Sequence, residues 1–186
     1  MKGENIMFKN LNIVIGITGS IAAYKACSVV SYLKSEGANV DVIMTQNATQ
    51  FITPHTLETL SKNSVLLDMF ENDDCKEVKH ISLAKKADVF LIVPATANII
   101  GKVSNGIADD MLSTTIMATR CPIVFAPAMN VNMYENKIVQ DNIKRLKEYG
   151  YIFIEPEKGV LACGDIAKGK LPKTKIIIDE LKKVLE

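Results

Sequence analysis

Leu11-Asn12-Ile13-Val14-Ile15-Gly16-Ile17-Thr18-Gly19-Ser20-Ile21-Ala22-Ala23-Tyr24-Lys25 is the stretch on which the fold turns. Its first half, residues 11–17, is nearly continuous in apolar side chains and shows no clean polar alternation. A strand buried on both faces of a parallel sheet has that composition. Gly-x-x-Gly-Ser follows at once, and residues 21–36 read as a helix that Gly37 is placed to end. Strand, tight polar turn and helix, in that order, open a unit in which the next strand runs parallel to the first.

The rest of the chain repeats the pattern. Residues 40–44, 89–93, 123–125 and 151–154 are further short apolar runs. Between them, 54–61, 80–85, 97–103, 109–118 and 135–149 read as helices, and 173–186 as a closing amphipathic helix. Thr53 before Pro54 marks a cap with proline at the first helical position, and Gly150 ends the helix before the last strand. The expected fold is α/β: a single-domain, doubly wound parallel sheet over residues 1–186, with helices on both faces in a Rossmann- or flavodoxin-like three-layer arrangement. Ligands of such sheets bind beyond the carboxyl ends of the strands, where strand order reverses. Four segments of small and hydroxylated residues fall there: 16–20, 45–47, 94–98 and 127–130. They suit a cofactor site, although any α/β fold needs turns at those places.

Composition narrows the function. Of 186 residues, 48% are hydrophobic and 23% charged, as in an ordinary folded domain. Twenty-two basic against 21 acidic residues leave a net charge of +1 and no electrostatic footprint for nucleic acid. Cys27, Cys75, Cys121 and Cys163 are dispersed without a C-x-x-C pair, which favours thiols in a reducing compartment over a disulfide framework, and no metal is expected. Lys2 and Lys9 before the apolar run imitate a secretion signal, but Glu4, Asn12, Gly16 and Thr18 interrupt it. No apolar run reaches the roughly 18 residues of a membrane helix, so a soluble cytoplasmic protein is expected.

Backbone N–H groups of the Gly16-x-x-Gly19-Ser20 turn can receive a phosphate, with the Ser20 hydroxyl adding a bond. The glycine spacing is not G-x-G-x-x-G, and no Gly-Lys-Ser/Thr follows, so neither a dinucleotide fingerprint nor a P-loop is present. A monophosphate such as that of FMN suits a loop without lysine.

Gly19 to Lys25, His80, Pro94-Ala95-Thr96-Ala97-Asn98 and Pro127-Ala128-Met129-Asn130-Val131-Asn132-Met133-Tyr134 occur in that order. Together they resemble the homo-oligomeric flavin-containing cysteine decarboxylases, and among them the branch acting on 4'-phosphopantothenoylcysteine in coenzyme A biosynthesis. The resemblance runs from Asn12 to Leu185. It departs at Thr96, where the family carries serine, at Ile99 in place of threonine, and at Tyr134 in place of a frequent tryptophan. Ala162-Cys163-Gly164-Asp165-Ile166-Ala167-Lys168-Gly169 looks like the clamp that covers substrate, here at about 156–172, with Gly159, Gly164 and Gly169 as hinges.

What the resemblance implies is specific. Gly19, Ser20, Ile21, Thr45, Thr96, Asn98 and Ala128 are the flavin contacts, and FMN is the cofactor. His80 is the acid/base, Asn130 holds the substrate carboxylate, and Cys163 returns a proton; imidazole suits the first task because it titrates near working pH. Met133, Leu161 and Ala162 would line the substrate, while Met133 and Met129 also suit a core. Decarboxylation needs an electron sink, and oxidation of the thiol-bearing carbon to a thioaldehyde creates one; the resulting enethiolate is then reduced. Taken without the family, His80 would be a surface residue at a helix start, Asn130 a helix cap and Cys163 a small buried apolar residue. His55 and the other cysteines are read as structural. Lys168 and Lys170 are weaker candidates for the substrate phosphate.

The expected partners are the small substrate and further copies of the chain, as a homotrimer or a dodecamer of trimers with flavin and His80 at a subunit boundary. Neither nucleic acid nor membrane is expected, and no fused synthetase domain. The alternatives are a lantibiotic-type peptidyl-cysteine decarboxylase, which lacks the clamp cysteine; a flavin prenyltransferase, which lacks Pro-x-Met-Asn-x-x-Met; a non-catalytic regulatory relative; and a flavodoxin-like electron carrier.

Overall fold

Ile13, Ile15 and Ile17 point to one face of the first strand and Val14 to the other, and all four are fully buried, so apolar layers must lie on both sides. The computed structural model describes residues 7–70, 78–160 and 166–186. In chain order the strands and helices are β1 (Asn12–Ile17), α1 (Ala26–Ser35), β2 (Asn39–Met44), α2 (Pro54–Ser61), β3 (Val65–Leu66), α3 (Lys79–Lys86), β4 (Val89–Ala95), α4 (Ala97–Ser104) and α5 (Met111–Ala118). They continue with β5 (Ile123–Pro127), α6 (Val131–Tyr134), α7 (Lys137–Glu148), β6 (Ile152–Phe153), β7 (Glu157–Val160), β8 (Ile166–Lys170) and α8 (Thr174–Leu185).

Six strands form one parallel sheet in the order β3-β2-β1-β4-β5-β6, with Ile15 facing Val42 on one side and Leu91 on the other. This is the three-layer α/β fold expected from sequence, in the order of dinucleotide-binding sheets rather than of flavodoxin. One apolar layer joins Ile13, Ile15 and Ile17 to Val29, Val30 and Leu33 of α1, Leu57 of α2 and Ile177, Ile178 and Leu181 of α8. The opposite layer joins Val14, Phe90 and Ile92 to Leu83 of α3, Ile100 of α4, Leu112 and Ile116 of α5, and Ile143 and Leu146 of α7. Among the described residues no helix is long and apolar enough to cross a membrane.

Several details differ from the sequence reading, the short β3 among them. The helix expected over 21–36 begins as a 3-10 turn, Ile21–Lys25, whose small Ala22 and Ala23 are buried, before α1 takes over. The helix expected over 135–149 is preceded by the separate α6, because Asn130 and Asn136 each cap a new start: Asn132 N donates to Asn130 Oδ1 and Ile138 N to Asn136 Oδ1, both at 2.9 Å. Asp110 stays outside α5 as its cap, accepting from Ser113 N at 2.7 Å. Part of the segment read as a clamp is an antiparallel pair, β7 with β8.

Candidate active site

Strand order reverses between β1 and β4, and the loops leaving these two strands are stitched together by one side chain. Thr18, 2% exposed, donates its hydroxyl to Pro94 O at 2.7 Å and accepts from Thr96 N at 3.2 Å. Thr96 in turn caps α4, and Thr45 Oγ1 accepts from Ala48 N at 3.3 Å after β2. The first loop lies directly on the second: a Cβ on Gly19 would stand 2.6 Å from that of Asn47. Between these loops opens a cleft of about 400 Å³. Met44, Ile99, Met111 and Leu112 give it apolar walls, and Thr18, Thr45, Gln46, Asn47, Thr96 and Asn98 give it a polar margin. An apolar pocket with convergent polar groups at such a reversal point is the usual form of a cofactor site.

A charged pair closes one side. Lys102 Nζ, also lining the cleft, lies 2.7 Å from Asp109 Oδ1 and 2.9 Å from Asp110 Oδ2. Burial works to lower Lys102 and to raise Asp110; the two carboxylates overcome it at Lys102, and at Asp110 the Ser113 N–H does so first, with Lys102 adding to it. The Lys102 ammonium ends above its ordinary range and the Asp110 carboxyl below it, so both stay charged.

The loop after β5 supplies the other side. Ala128 N donates to Ala95 O at 3.0 Å, and Ser20 Oγ donates to Ala128 O at 3.3 Å. Met129 N then donates to Gly169 O at 3.1 Å, which fastens β8 to this loop. Gly169 has φ +140, and a Cβ there would run into the Met129 carbonyl, so no side chain fits at the crossing. Asn130 caps α6, and Met133, 48% exposed, reaches the cleft. Tyr134 turns inward and donates its hydroxyl to Glu155 Oε2 at 3.1 Å. The same carboxylate receives Lys168 Nζ at 2.7 Å and Lys147 Nζ at 3.1 Å, and Lys168 Nζ lies 5.5 Å from the Tyr134 ring centre. The Lys168 hydrogen bond, against the opposing effect of burial and with help from Lys147 and Tyr134, brings the Glu155 carboxyl down to about 2. Burial, then the nearby Glu155 charge, pushes the Tyr134 phenol up to about 12.

The structure thus gathers Gly19, Thr45, Thr96, Asn98 and Met133 around one cleft. Ser20 and Ala128 are bonded to each other beside it, and Ile21 stands exposed at the head of the tight turn. Asn130 sits at the start of α6. His80 is the second residue of α3, half-buried, and is not among the residues lining this chain's cleft. Leu161, Ala162 and Cys163 lie outside the described residues, as does Cys75. Lys168 is held by Glu155. Sequence reasoning passed over Lys102, Asp110 and Glu155. A clue existed only for Asp110, whose spacing to Ser113 matches a helix-start box.

A family model described as "Flavoprotein" matches residues 2–186. The coenzyme A biosynthesis bifunctional protein CoaBC of Borreliella burgdorferi is 52% identical over 178 residues, which cover 94% of this chain and 45% of that protein. A probable phosphopantothenoylcysteine decarboxylase of Streptococcus mutans is 45% identical over 175 residues, 93% of this chain and 98% of the relative. This chain spans less than half the length of the bifunctional relatives it matches. Among solved structures, the FMN-dependent cysteine decarboxylase SpaF superposes with a TM-score of 0.84 at 29% identity, covering 96% of this chain and 97% of the other. A mutant PPC decarboxylase complexed with pantothenoylaminoethenethiol superposes with a TM-score of 0.83 at 29% identity, covering 94% and 98%.

Proposed function

The chain belongs to the flavoprotein family, and from that premise we propose that it is a carboxy-lyase that uses FMN to convert 4'-phosphopantothenoylcysteine to 4'-phosphopantetheine in coenzyme A biosynthesis. The similarity to the Streptococcus decarboxylase over nearly the full length of both chains supports the substrate. The observation that carries the reading is the cleft at the β1/β4 reversal, bordered by the loop that bears Asn130 and adjoining β8. Its residues fit FMN. Met44, Ile99, Met111 and Leu112 match a flat apolar ring, and the threonines, Gln46, Asn47 and Asn98 supply hydrogen-bonding groups for its polar edge. Gly19, lacking a side chain, lets the first loop close directly onto Asn47 of the 45–47 loop, and the backbone N–H groups of the 16–20 turn are the ones suited to a phosphate.

In this reading Gly19, Ser20, Ile21, Thr45, Thr96, Asn98 and Ala128 hold FMN, which when bound supplies two-electron oxidation of the thiol-bearing carbon and later returns the electrons. Asn130 donates its amide N–H to the substrate carboxylate and fixes the bond that breaks. Met133, Leu161 and Ala162 cover the substrate and exclude water. His80 takes the thiol proton. It reaches the cleft from a neighbouring copy in a homotrimer, twelve chains making the larger assembly, which accounts for its absence from its own chain's cleft. Cys163 gives a proton to the carbon that has lost carbon dioxide.

The test is to incubate the purified yellow protein with phosphopantothenoylcysteine and follow carbon dioxide and thiol product by mass. Wild type should release both, and Cys163→Ser should stop at the enethiol with the flavin left reduced. Absence of turnover by FMN-loaded wild type overturns the assignment. Wild type that releases only enethiol is a peptidyl-cysteine type of enzyme instead.

A further inference from the structure

We propose that Lys102 and Asp110 form a charge pair that sets how strongly the cleft favours reduced over oxidised FMN, Lys102 favouring the reduced form and Asp110 opposing it. The inference rests on the reading above, that FMN occupies this cleft, and adds two residues to it. Among the described residues, Lys102 and Asp110 are the two charged side chains that line the cleft, the rest of the lining being apolar or neutral. Their placement is fixed from several sides. Asp110 Oδ1 accepts from Ser113 N at 2.7 Å and from Ser113 Oγ at 2.8 Å, which leaves Oδ2 for the Lys102 ammonium at 2.9 Å. The backbone carbonyl of Lys102 accepts from Ile107 N at 2.9 Å, within the turn between α4 and α5. Asp109 takes the same ammonium from outside the lining.

The Lys102 side chain is 20% exposed and that of Asp110 32%, and both remain charged. Salt screens partly buried charges little, and a cleft of about 400 Å³ keeps its occupant within their reach. In the proposed reaction a hydride, two electrons with one proton, leaves the thiol-bearing carbon for FMN and is later returned. Each passage carries one negative charge into the cleft or out of it. A cation beside the cleft favours the negatively charged occupant and a carboxylate disfavours it, so the two residues act in opposite senses. An ion pair whose only task is to join α4 to α5 has no such opposition, since losing either partner breaks the same bond.

The experiment loads wild type, Asp110→Asn and Lys102→Gln with FMN and measures the two-electron midpoint potential at neutral pH, by anaerobic titration against a reference dye. Asparagine caps a helix as well as aspartate, so Asp110→Asn removes the charge and keeps the start of α5. Its potential should rise, and that of Lys102→Gln should fall. Each shift should correspond to about tenfold in the ratio of affinities for reduced and oxidised FMN, about 30 mV. Should Lys102→Gln fail to fold or to hold FMN, the variant carrying both changes takes its place, and its potential must lie below that of Asp110→Asn. Shifts of like sign, a shift in one variant alone or no shift at all overturns the proposal. No substrate enters this measurement. Wild type that holds FMN but leaves phosphopantothenoylcysteine untouched therefore overturns the function and not the charge pair.

Discussion

Gly19 is where a single hydrogen in place of a methyl group decides the shape of the cleft. An alanine there would press on Asn47 at 2.6 Å, so the 45–47 loop would have to move away from the first loop. Gly19→Ala is expected to keep its circular dichroism spectrum and to bind FMN at least tenfold more weakly, a loss of roughly 1.4 kcal/mol. Flavin fluorescence titration of the stripped protein checks this, and unchanged affinity would remove Gly19 from the site. Residues of this kind were legible because a turn between a buried strand and a helix announces itself in composition. Glu155 was not. Its partners lie 8, 13 and 21 residues away, on three different elements, and no local period connects them. Lys102 escaped for the same reason, since its pairing with Asp109 spans the turn between α4 and α5.

Between elements, the Glu155 carboxylate behaves as a pH-dependent joint. Its titration lies at about 2 in the folded chain against an ordinary 4.5, so the charged form is favoured by folding. A depressed carboxyl contributes its stability above the ordinary value and loses it as pH falls toward the folded one. The urea midpoints of wild type and Glu155→Gln should therefore differ at neutral pH and converge as pH drops from 4.5 toward about 2. A constant gap through that window would show that the carboxylate charge does not hold the joint. Element boundaries were legible where strands are nearly continuous in apolar residues, as at β1 and β4, and where a glycine with positive φ, Gly37 or Gly150, stops a helix. They were missed at β3, two residues long, and at α6, where Asn130 and Asn136 restart the helix six residues apart. The β7/β8 pair carries glycines and lysines rather than alternating β-formers, so sequence showed a loop there.

For the molecule as a whole, the three-layer arrangement was readable because a parallel sheet must be apolar on both faces. Strand order was not, since nothing in β1 names its neighbours. That order has a kinetic consequence. β1 lies at the centre, yet its partner β4 begins 76 positions later, at the Ile13 and Val89 pairing. During synthesis β1, β2 and β3 are made first, and β1 waits with one bare edge until β4 arrives. A chain stopped before Val89 should present that edge to its own copies and aggregate, whereas one continued through Pro127, which adds β4 and β5, should stay far more dispersed. Light scattering of ribosome-released fragments ending at 87 and 127 checks this, and equal dispersion of the two would show that the waiting edge is protected. The strand that organises the cleft is thus also the one most exposed to misassembly at birth, and a cell making this protein has reason to keep a chaperone near the first 88 residues.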